Sequence, residues 1–298
     1  MKIANISGRA ALFTGTEFVD VHKASDGAFG PDPVSVFDQW TVFLAWARSA
    51  YPDAVGVEAT LPADAEVGPP SPRPRQVFGV GLNYTEHAKE AGFDLPETPV
   101  VFTKFPTSVA GPDQTIALPD GSVDWEVELV VVIGAHAHRI EPDRAWEAVA
   151  GLTLGQDLSE RQLQHKGPAP QFSLAKSFPG FSPTGPVLVT PDEFADPNDL
   201  NIGCRLNGET MQDDRTSDMI FPIGPLVSWL SHITPLCPGD IIFTGTPSGI
   251  GASRTPPRFL SPGDELVSWM EGVGTIRTVV AGPAYAGPGV PAVGGRGD

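Results

Sequence analysis

The chain has 298 residues, a formal net charge of −17 and a pI of about 4.6. This surplus of negative charge excludes electrostatic binding to nucleic acid or to an anionic membrane. The two cysteines, Cys204 and Cys237, are too few and too far apart for a disulfide framework or a CxxC metal site.

Residues 1–70 are predicted to form a small N-terminal module. Residues 2–21 are typical of one or two short strands, and apolar residues at helical spacing follow over 33–50. The stretch 67–76 is rich in proline, which cannot continue a helix or a central strand. We therefore expect a domain boundary near residue 70.

Residues 71–281 consist mostly of short apolar, β-branched runs separated by turn residues, which is typical of a β-rich domain. Three segments with helical spacing interrupt these runs: 84–92, 142–151 and 217–233. We expect Pro222 and Pro225 to break the last of them. The tail, 282–298, is rich in Gly, Pro and Ala, and we expect it to be disordered.

Three carboxylates alternate with apolar residues within the segment 121–133. If this segment is a strand, Asp124, Glu126 and Glu128 share one face, each about 7 Å from the next. Taken alone, this face is better explained as a solvated sheet edge than as a cation site. The run VVVIG that follows is apolar on both faces, however, which favours a buried strand. Buried carboxylates need a positive partner, and Asp157 offers a third oxygen ligand for a cation such as Mg²⁺.

His87 and Glu90 are three residues apart, so a helix over 84–92 would place them on the same side. A carboxylate beside an imidazole fixes its orientation and raises its basicity, as a general base requires. A surface ion pair explains the same spacing, and the pattern alone favours that simpler explanation.

Signatures of three other enzyme classes are absent. GTPSG at 245–249 is not the G-x-S-x-G of a nucleophile elbow, and GVGLNY at 79–84 stops short of G-x-G-x-x-G. There is no Walker lysine motif. Serine-hydrolase, dinucleotide-binding and P-loop functions are therefore excluded.

In their order along the chain, several motifs resemble those of the fumarylacetoacetate hydrolase family. They are GVGLNYTEHAKE, VVFTKFPTS, DWEVELVVVIG, GQDLSERQLQ, SLAKSF, NGETMQ, MIFPI and GDIIFTGTPSGIG. The resemblance implies an α+β, β-rich fold, a mixed β-sandwich roll with a small N-terminal α+β module. It also implies a homodimer.

The resemblance further implies a set of site residues. The ligands of a Mg²⁺ or Mn²⁺ ion would be Glu126, Glu128 and Asp157. The catalytic residues would be His87, Glu90 and Lys176, with the first two on a lid helix. The substrate contacts would be Tyr84, Lys104, Gln164 and Thr246. Asp124 falls outside the ligand set, either beside the ligands or in solvent.

We expect a metal-dependent hydrolase that cleaves a C–C bond in a 2,4-dioxo acid. An acylpyruvate, a fumarylacetoacetate-like compound or a diketo-deoxy sugar acid would fit. Oxaloacetate decarboxylation and isomerisation of 2-hydroxyhepta-2,4-diene-1,7-dioate remain alternatives, because the same metal site can serve them. A non-catalytic binding protein is disfavoured, because the three ligand positions and both residues of the His87–Glu90 pair, here called the dyad, are all present.

The expected partner is a small 2-oxo acid, with neither nucleic acid nor membrane. No apolar run of 18 residues occurs, and the first residues lack the pattern of a signal peptide. We therefore expect a cytoplasmic protein.

Overall fold

A computed structural model describes residues 1–54, 56–57 and 59–282, and sheets dominate it. The strands are β1 (Lys2–Ile6), β2 (Arg9–Phe13), β3 (Phe18–Asp20), β4 (Val67–Gly68), β5 (Val77–Gly81), β6 (Val100–Thr103), β7 (Val109–Ala110), β8 (Asp113–Ala117), β9 (Val123–Asp124), β10 (Val127–Ile133), β11 (Val149–Gln156), β12 (Ser159–Glu160), β13 (Ser182–Val189), β14 (Asn201–Leu206), β15 (Glu209–Arg215), β16 (Ile241–Phe243), β17 (Glu265–Met270) and β18 (Gly274–Ala281). The α-helices are α1 (Val21–Ala24), α2 (Pro33–Asp38), α3 (Trp40–Ala50), α4 (Thr85–Glu90), α5 (Arg161–Gln164), α6 (Phe172–Ala175) and α7 (Ile223–Ile233).

The strands form two main sheets. The larger has the order β3-β2-β1-β13-β11-β10-β16-β5-β6, with β4 beside β1 and β7 beside β13. The smaller has the order β15-β14-β17-β18-β8, and β9 pairs separately with β12. Most neighbours are antiparallel, whereas β5 and β16, β7 and β13, and β8 and β18 are parallel. The prediction of a mixed, β-rich α+β fold is confirmed.

Strand β10 lies at the centre of the core. Leu129, on one face, belongs to an apolar cluster that includes Ile202 and Leu266 of the smaller sheet. Val130, on the other face, belongs to a second cluster that includes Trp40 and other residues of α2 and α3. Because both faces are covered, the strand is buried throughout and apolar from Leu129 to Ile133, which confirms the buried strand that the run VVVIG predicts.

The N-terminal strands belong to the larger sheet. Strand β1 pairs antiparallel with β13, with Lys2 opposite Val189. The sequence predicts one or two strands here and the structure has three. A two-residue turn with positive φ at Ser7 and Gly8 joins the first two. The division of the chain near residue 70 stays a prediction.

Two of the predicted helices differ from the structure. The prediction over 142–151 is wrong: a short 3-10 helix, Ala145–Ala148, leads directly into β11, since pairing with β10 overrides the local spacing. The predicted break at Pro225 is also wrong. Pro225 lies in the first turn of α7, where a missing N–H costs no intrahelical hydrogen bond.

The other helix predictions agree with the structure. The apolar stretch over 33–50 forms α2 and α3, and α4 occupies most of 84–92. Within the described ranges, none of the helices combines the length and apolar character needed to cross a bilayer. The predicted disordered tail lies outside the described residues from position 283 onward.

Candidate metal centre and active-site cleft

A cleft of about 460 Å³ opens where α4, α5 and α6 meet the edge of the larger sheet. Several of the residues that line it are charged and buried, whereas others are apolar and more exposed. Five buried polar residues line its base, and Asp157, which does not line the cleft, contacts one of them, Lys176. We call this group the floor; its members are Glu126, Glu128, Asp157, Arg161, Gln164 and Lys176.

The three predicted metal ligands lie together at the floor. One carboxylate oxygen of each of Glu126, Glu128 and Asp157 lies within 4.8 Å of the others, and all three residues are buried. Antiparallel pairing brings the start of β10 beside the end of β11. Consequently the Asp157 backbone N–H donates to the Glu126 carbonyl at 2.8 Å. Two segments that are separated in sequence thus supply the three carboxylates of the site.

The expectation of one continuous strand through Asp124, Glu126 and Glu128 is wrong. The ladder is interrupted between β9 and β10, where two buried glutamine side chains replace a strand neighbour. The Gln156 Oε1 accepts from the Glu126 N–H at 2.8 Å, and the Gln212 Oε1 accepts from the Val127 N–H at 3.0 Å. This break places Asp124 and Glu128 in different strands, with Glu126 between them.

Asp124 instead anchors a loop and an arginine. Its Oδ1 accepts from the Gly251 N–H at 2.7 Å, and its Oδ2 accepts from the Ala252 N–H at 2.9 Å. The same Oδ2 accepts from the Arg161 Nε at 2.9 Å. Asp124 is fully buried. The alternative of a solvated residue is therefore excluded, and Asp124 holds Arg161 beside Glu126.

Buried cations surround two of the three ligands. The Lys176 Nζ donates to the Glu126 Oε2 and to the Asp157 Oδ2, at 2.7 Å in each case. Arg161 lies 2.7 Å from the Glu126 Oε1, and Lys104 donates to Asp157. Burial opposes ionisation of Glu126, but the charges of Lys176 and Arg161 outweigh it and lower its pKa to about 2.

Glu128 is in a different position. Its Oε2 accepts from the Gly245 N–H at 2.7 Å, and no Lys, Arg or His of the described residues lies within ion-pair distance. Burial, together with the negative charges of Asp157 and Glu126, raises its pKa well above the usual range. A buried carboxylate in this setting needs a further positive charge to ionise. The three oxygen donors suit a hard divalent cation, so the residues fit Mg²⁺ or Mn²⁺.

The His87–Glu90 pair lies on the wall of the same cleft. The His87 Nδ1 lies 2.8 Å from the Glu90 Oε1, and the Gly249 N–H donates to both Glu90 oxygens at 3.0 and 3.1 Å. His87 is only 6% exposed, so an ordinary surface ion pair is excluded. With Nδ1–H donating to Glu90, Nε2 is the nitrogen that can take up a proton.

The predicted substrate contacts divide into two groups. Gln164 and Thr246 line the cleft, although the Thr246 hydroxyl already donates to the Val127 carbonyl at 2.8 Å. Tyr84 and Lys104 do not line it. Lys104 is buried against Asp157 and the Phe181 carbonyl, and burial lowers its pKa. Its position is that of a residue that orients Asp157.

Sequence reasoning missed three residues of the site. They are Arg161 and the two glutamines, Gln156 and Gln212, whose side chains accept backbone hydrogen bonds between β9 and β10. Arg161 follows Asp157 closely, in the stretch DLSER, and this proximity is the signal that could have identified it. No local signal identifies Gln212, because its partner Val127 is 85 residues away in sequence.

Comparison with known proteins identifies the family. Residues 76–281 match the family described as fumarylacetoacetate (FAA) hydrolase, C-terminal. The chain belongs to the fumarylacetoacetate hydrolase family. The resemblance inferred from the ordered motifs is therefore confirmed.

Three relatives of this family member are informative. An HpcE-like protein of Mycobacterium smegmatis is 55% identical, with a TM-score of 0.88 over 95% of this chain and 99% of that one. A 5-carboxymethyl-2-hydroxymuconate delta-isomerase of the same organism is 38% identical, with a TM-score of 0.66 over 75% of this chain and 84% of that one. The mitochondrial oxaloacetate tautomerase FAHD2A of Bos taurus is 46% identical over 209 residues, 70% of this chain and 67% of that protein.

Relatives within the fumarylacetoacetate hydrolase family therefore carry the names of different reactions. A shared fold does not fix a reaction. What the family and the buried carboxylates support together is an enzyme of this fold with a divalent-cation site. The choice of reaction depends on the cleft of this chain.

Proposed function

We propose that the protein is a divalent-metal-dependent hydrolase that cleaves a C–C bond in a 2,4-dioxo acid. The observation that carries the proposal is the buried His87–Glu90 pair on the wall of the cleft whose floor holds the three carboxylates. Hydrolysis requires a base that activates water beside the bound acid, and a buried imidazole oriented by a carboxylate supplies one.

The floor would receive the 2-oxo acid end of the substrate. A Mg²⁺ or Mn²⁺ ion held by Glu126, Glu128 and Asp157 supplies Lewis-acid polarisation and orientation when bound. Lys176 and Arg161, both buried and cationic, add positive potential where the substrate carboxylate lies. Gln164 accepts from the Arg161 Nη1 through its Oε1 at 3.0 Å, so its amide nitrogen is the atom left to donate to the substrate.

The dyad would then perform the proton transfers. Glu90 holds the His87 Nδ1–H, and Nε2 takes a proton from water while the water oxygen bonds to the distal carbonyl carbon, C4. The C3–C4 bond breaks and its electron pair passes to C3, forming the enolate of pyruvate. The proton on His87 is returned to C3. One water is consumed, and the products are pyruvate and the carboxylic acid of the acyl group.

Proton transfer without cleavage is the second candidate function. The names of two relatives favour it, because a tautomerase and a delta-isomerase both move a proton next to a carbonyl group. His87 could remove and return a proton at C3 without activating water. Oxaloacetate decarboxylation stays an expectation from the family resemblance.

One experiment distinguishes the two candidates. Loss of diketo-enol ultraviolet absorbance would be followed for a panel of acylpyruvates with Mg²⁺ or Mn²⁺ and again with a chelator, while pyruvate is assayed separately. Chelator-sensitive loss with one pyruvate released per substrate is the expected result. Absorbance change without pyruvate would indicate tautomerisation, and no change with any metal would contradict the proposal.

A further inference from the structure

The part of the cleft beyond the floor has a different character. We call it the outer wall, formed by Gly81, Phe93, Val100, Phe102 and Phe172. Phe93 is 55% exposed and Val100 36% exposed, whereas the floor residues are buried, so the wall leads from the floor to the cleft mouth. Phe102 joins the two parts, since the Lys176 Nζ lies 5.0 Å from the centre of its ring.

One glycine of the GVG stretch makes room for this wall. Gly79 and Gly81 alternate along β5, opposite Phe102 and Val100 of β6. A Cβ at Gly79 would overlap the Phe102 ring, whereas a Cβ at Gly81 would meet the Phe172 ring at 3.7 Å, an ordinary van der Waals distance. Because Gly79 has no side chain, the Phe102 ring lies directly on the strand backbone. Gly79 therefore serves an apolar surface, in a motif that does not complete a dinucleotide fingerprint.

The rings of the wall also support each other. The Phe102 and Phe172 ring centres are 5.6 Å apart, with the planes at 65°, an edge-to-face arrangement that favours a fixed shape. Phe172 begins α6, which also leads to Lys176 of the floor. The wall is therefore an ordered apolar surface adjoining the floor.

The outer wall lacks a partner for a second carboxylate. The lysine and arginine that line the cleft, Lys176 and Arg161, are both committed to carboxylates of the floor and to Asp124. Outside the floor and the dyad, the one described cleft residue that can carry a positive charge is His165, which is exposed at the mouth. A carboxylate placed against the wall would lose water without gaining a cation.

We propose that the outer wall binds an uncharged aliphatic or aromatic acyl group, so that the substrate is a monocarboxylic 2,4-dioxo acid. This inference rests on the proposed function, because it takes the 2-oxo acid end to lie on the floor. The Phe102–Phe172 pair is the specificity determinant, and the wall discriminates against a substrate with a carboxylate at its distal end.

The test compares two 2,4-dioxo acids of equal chain length, one ending in a methyl group and the other in a carboxylate. We expect kcat/KM to be at least about tenfold higher for the methyl-ended acid. Phe172→Ala should lower kcat/KM for the methyl-ended acid about tenfold, through loss of ring contact with the acyl chain. Val100→Arg should raise kcat/KM for the carboxylate-ended acid, because it adds the missing cation.

Two controls distinguish an effect on the outer wall from an effect on the floor. Leu174→Ala lies on the same helix as Phe172 but is 63% exposed and outside the cleft, so it should leave the substrate preference unchanged. Oxalate resembles the 2-oxo acid end and has no acyl chain. Its affinity for the Mg²⁺-loaded protein, measured by calorimetry, should be the same in Phe172→Ala and in the wild type.

The outcomes distinguish this inference from the proposed function. Preference for the carboxylate-ended acid, with pyruvate released, would overturn the inference and leave C–C hydrolysis standing. An equal loss for both acids in Phe172→Ala, together with weaker oxalate binding, would also overturn it, because the ring would then support the floor. Turnover of neither acid would overturn the proposed function and this inference with it.

Discussion

The floor of the cleft and the side of the larger sheet that α2 and α3 cover bury side chains of opposite kinds. We call the second region the helical face. On the floor, carboxylates and cations lie in direct contact, as in the bridge from Lys176 to Glu126 and Asp157. On the helical face, aromatic rings of α2 and α3 pack against β10. There the Phe37 and Trp40 rings stack at 5.9 Å, and Phe43 is fully buried.

The two regions fail in different ways when a side chain is removed. Apolar contacts are non-directional, so a lost ring costs stability roughly in proportion to the volume removed. A buried charge depends on particular partners, and removing one leaves the other uncompensated. Substitutions on the floor should therefore change metal binding and turnover first, whereas substitutions on the helical face should change the free energy of unfolding.

Removal of Glu128 should have the largest effect on the cleft. Glu128→Ala deletes the one ligand carboxylate that forms no ion pair with a described residue, so Mg²⁺ or Mn²⁺ binding and turnover should both fall below detection. Calorimetry with each metal measures the first effect and the absorbance assay the second. Glu147→Ala removes an exposed carboxylate and serves as the control. Unchanged metal affinity in Glu128→Ala would contradict the ligand assignment.

Removal of His87 should affect turnover alone. His87→Ala deletes the base, and kcat should fall by about 10²–10⁴-fold while the dissociation constant of the metal stays unchanged. The difference between the two measurements separates a catalytic residue from a ligand. His136→Ala, at an exposed position, should change neither quantity. Wild-type turnover in His87→Ala would show that another group activates water.

The same contrast explains how much could be predicted from the sequence. The apolar run of β10 and the positions of Glu126, Glu128 and Asp157 follow from local pattern together with family motifs. Local spacing failed over 142–151, because pairing with β10 outweighs helix periodicity there. The partners of the carboxylates could not be predicted, since distant segments converge on them. Gly251, for example, donates to Asp124 across 127 residues.

Substitution of Gln212 should have a smaller effect, because this residue acts through the ligands. Its Oε1 holds the backbone between Glu126 and Glu128, and its Nε2 donates to the Thr246 hydroxyl at 2.8 Å. Gln212→Leu should weaken metal binding by about 10–100-fold, as is typical when a partner of the ligands is lost. Gln162→Leu, at an exposed position, is the control. Equal metal affinity in both variants would mean that the segment between β9 and β10 keeps its conformation without Gln212.

Removal of Phe43 should have the smallest effect on the cleft and a large effect on stability. Its ring lies 5.4 Å from that of Phe29 and is fully buried, so Phe43→Ala leaves a cavity and should lower the free energy of unfolding by about 3–5 kcal/mol. Val42→Ala, on the same helix but 62% exposed, should change it by less than about 0.5 kcal/mol. Urea unfolding measures both values.

Metal affinity of folded Phe43→Ala should equal that of the wild type, because the ring belongs to the opposite side of β10 from the smaller sheet. A loss of affinity would show that the two regions are coupled through β10, which also carries Glu128.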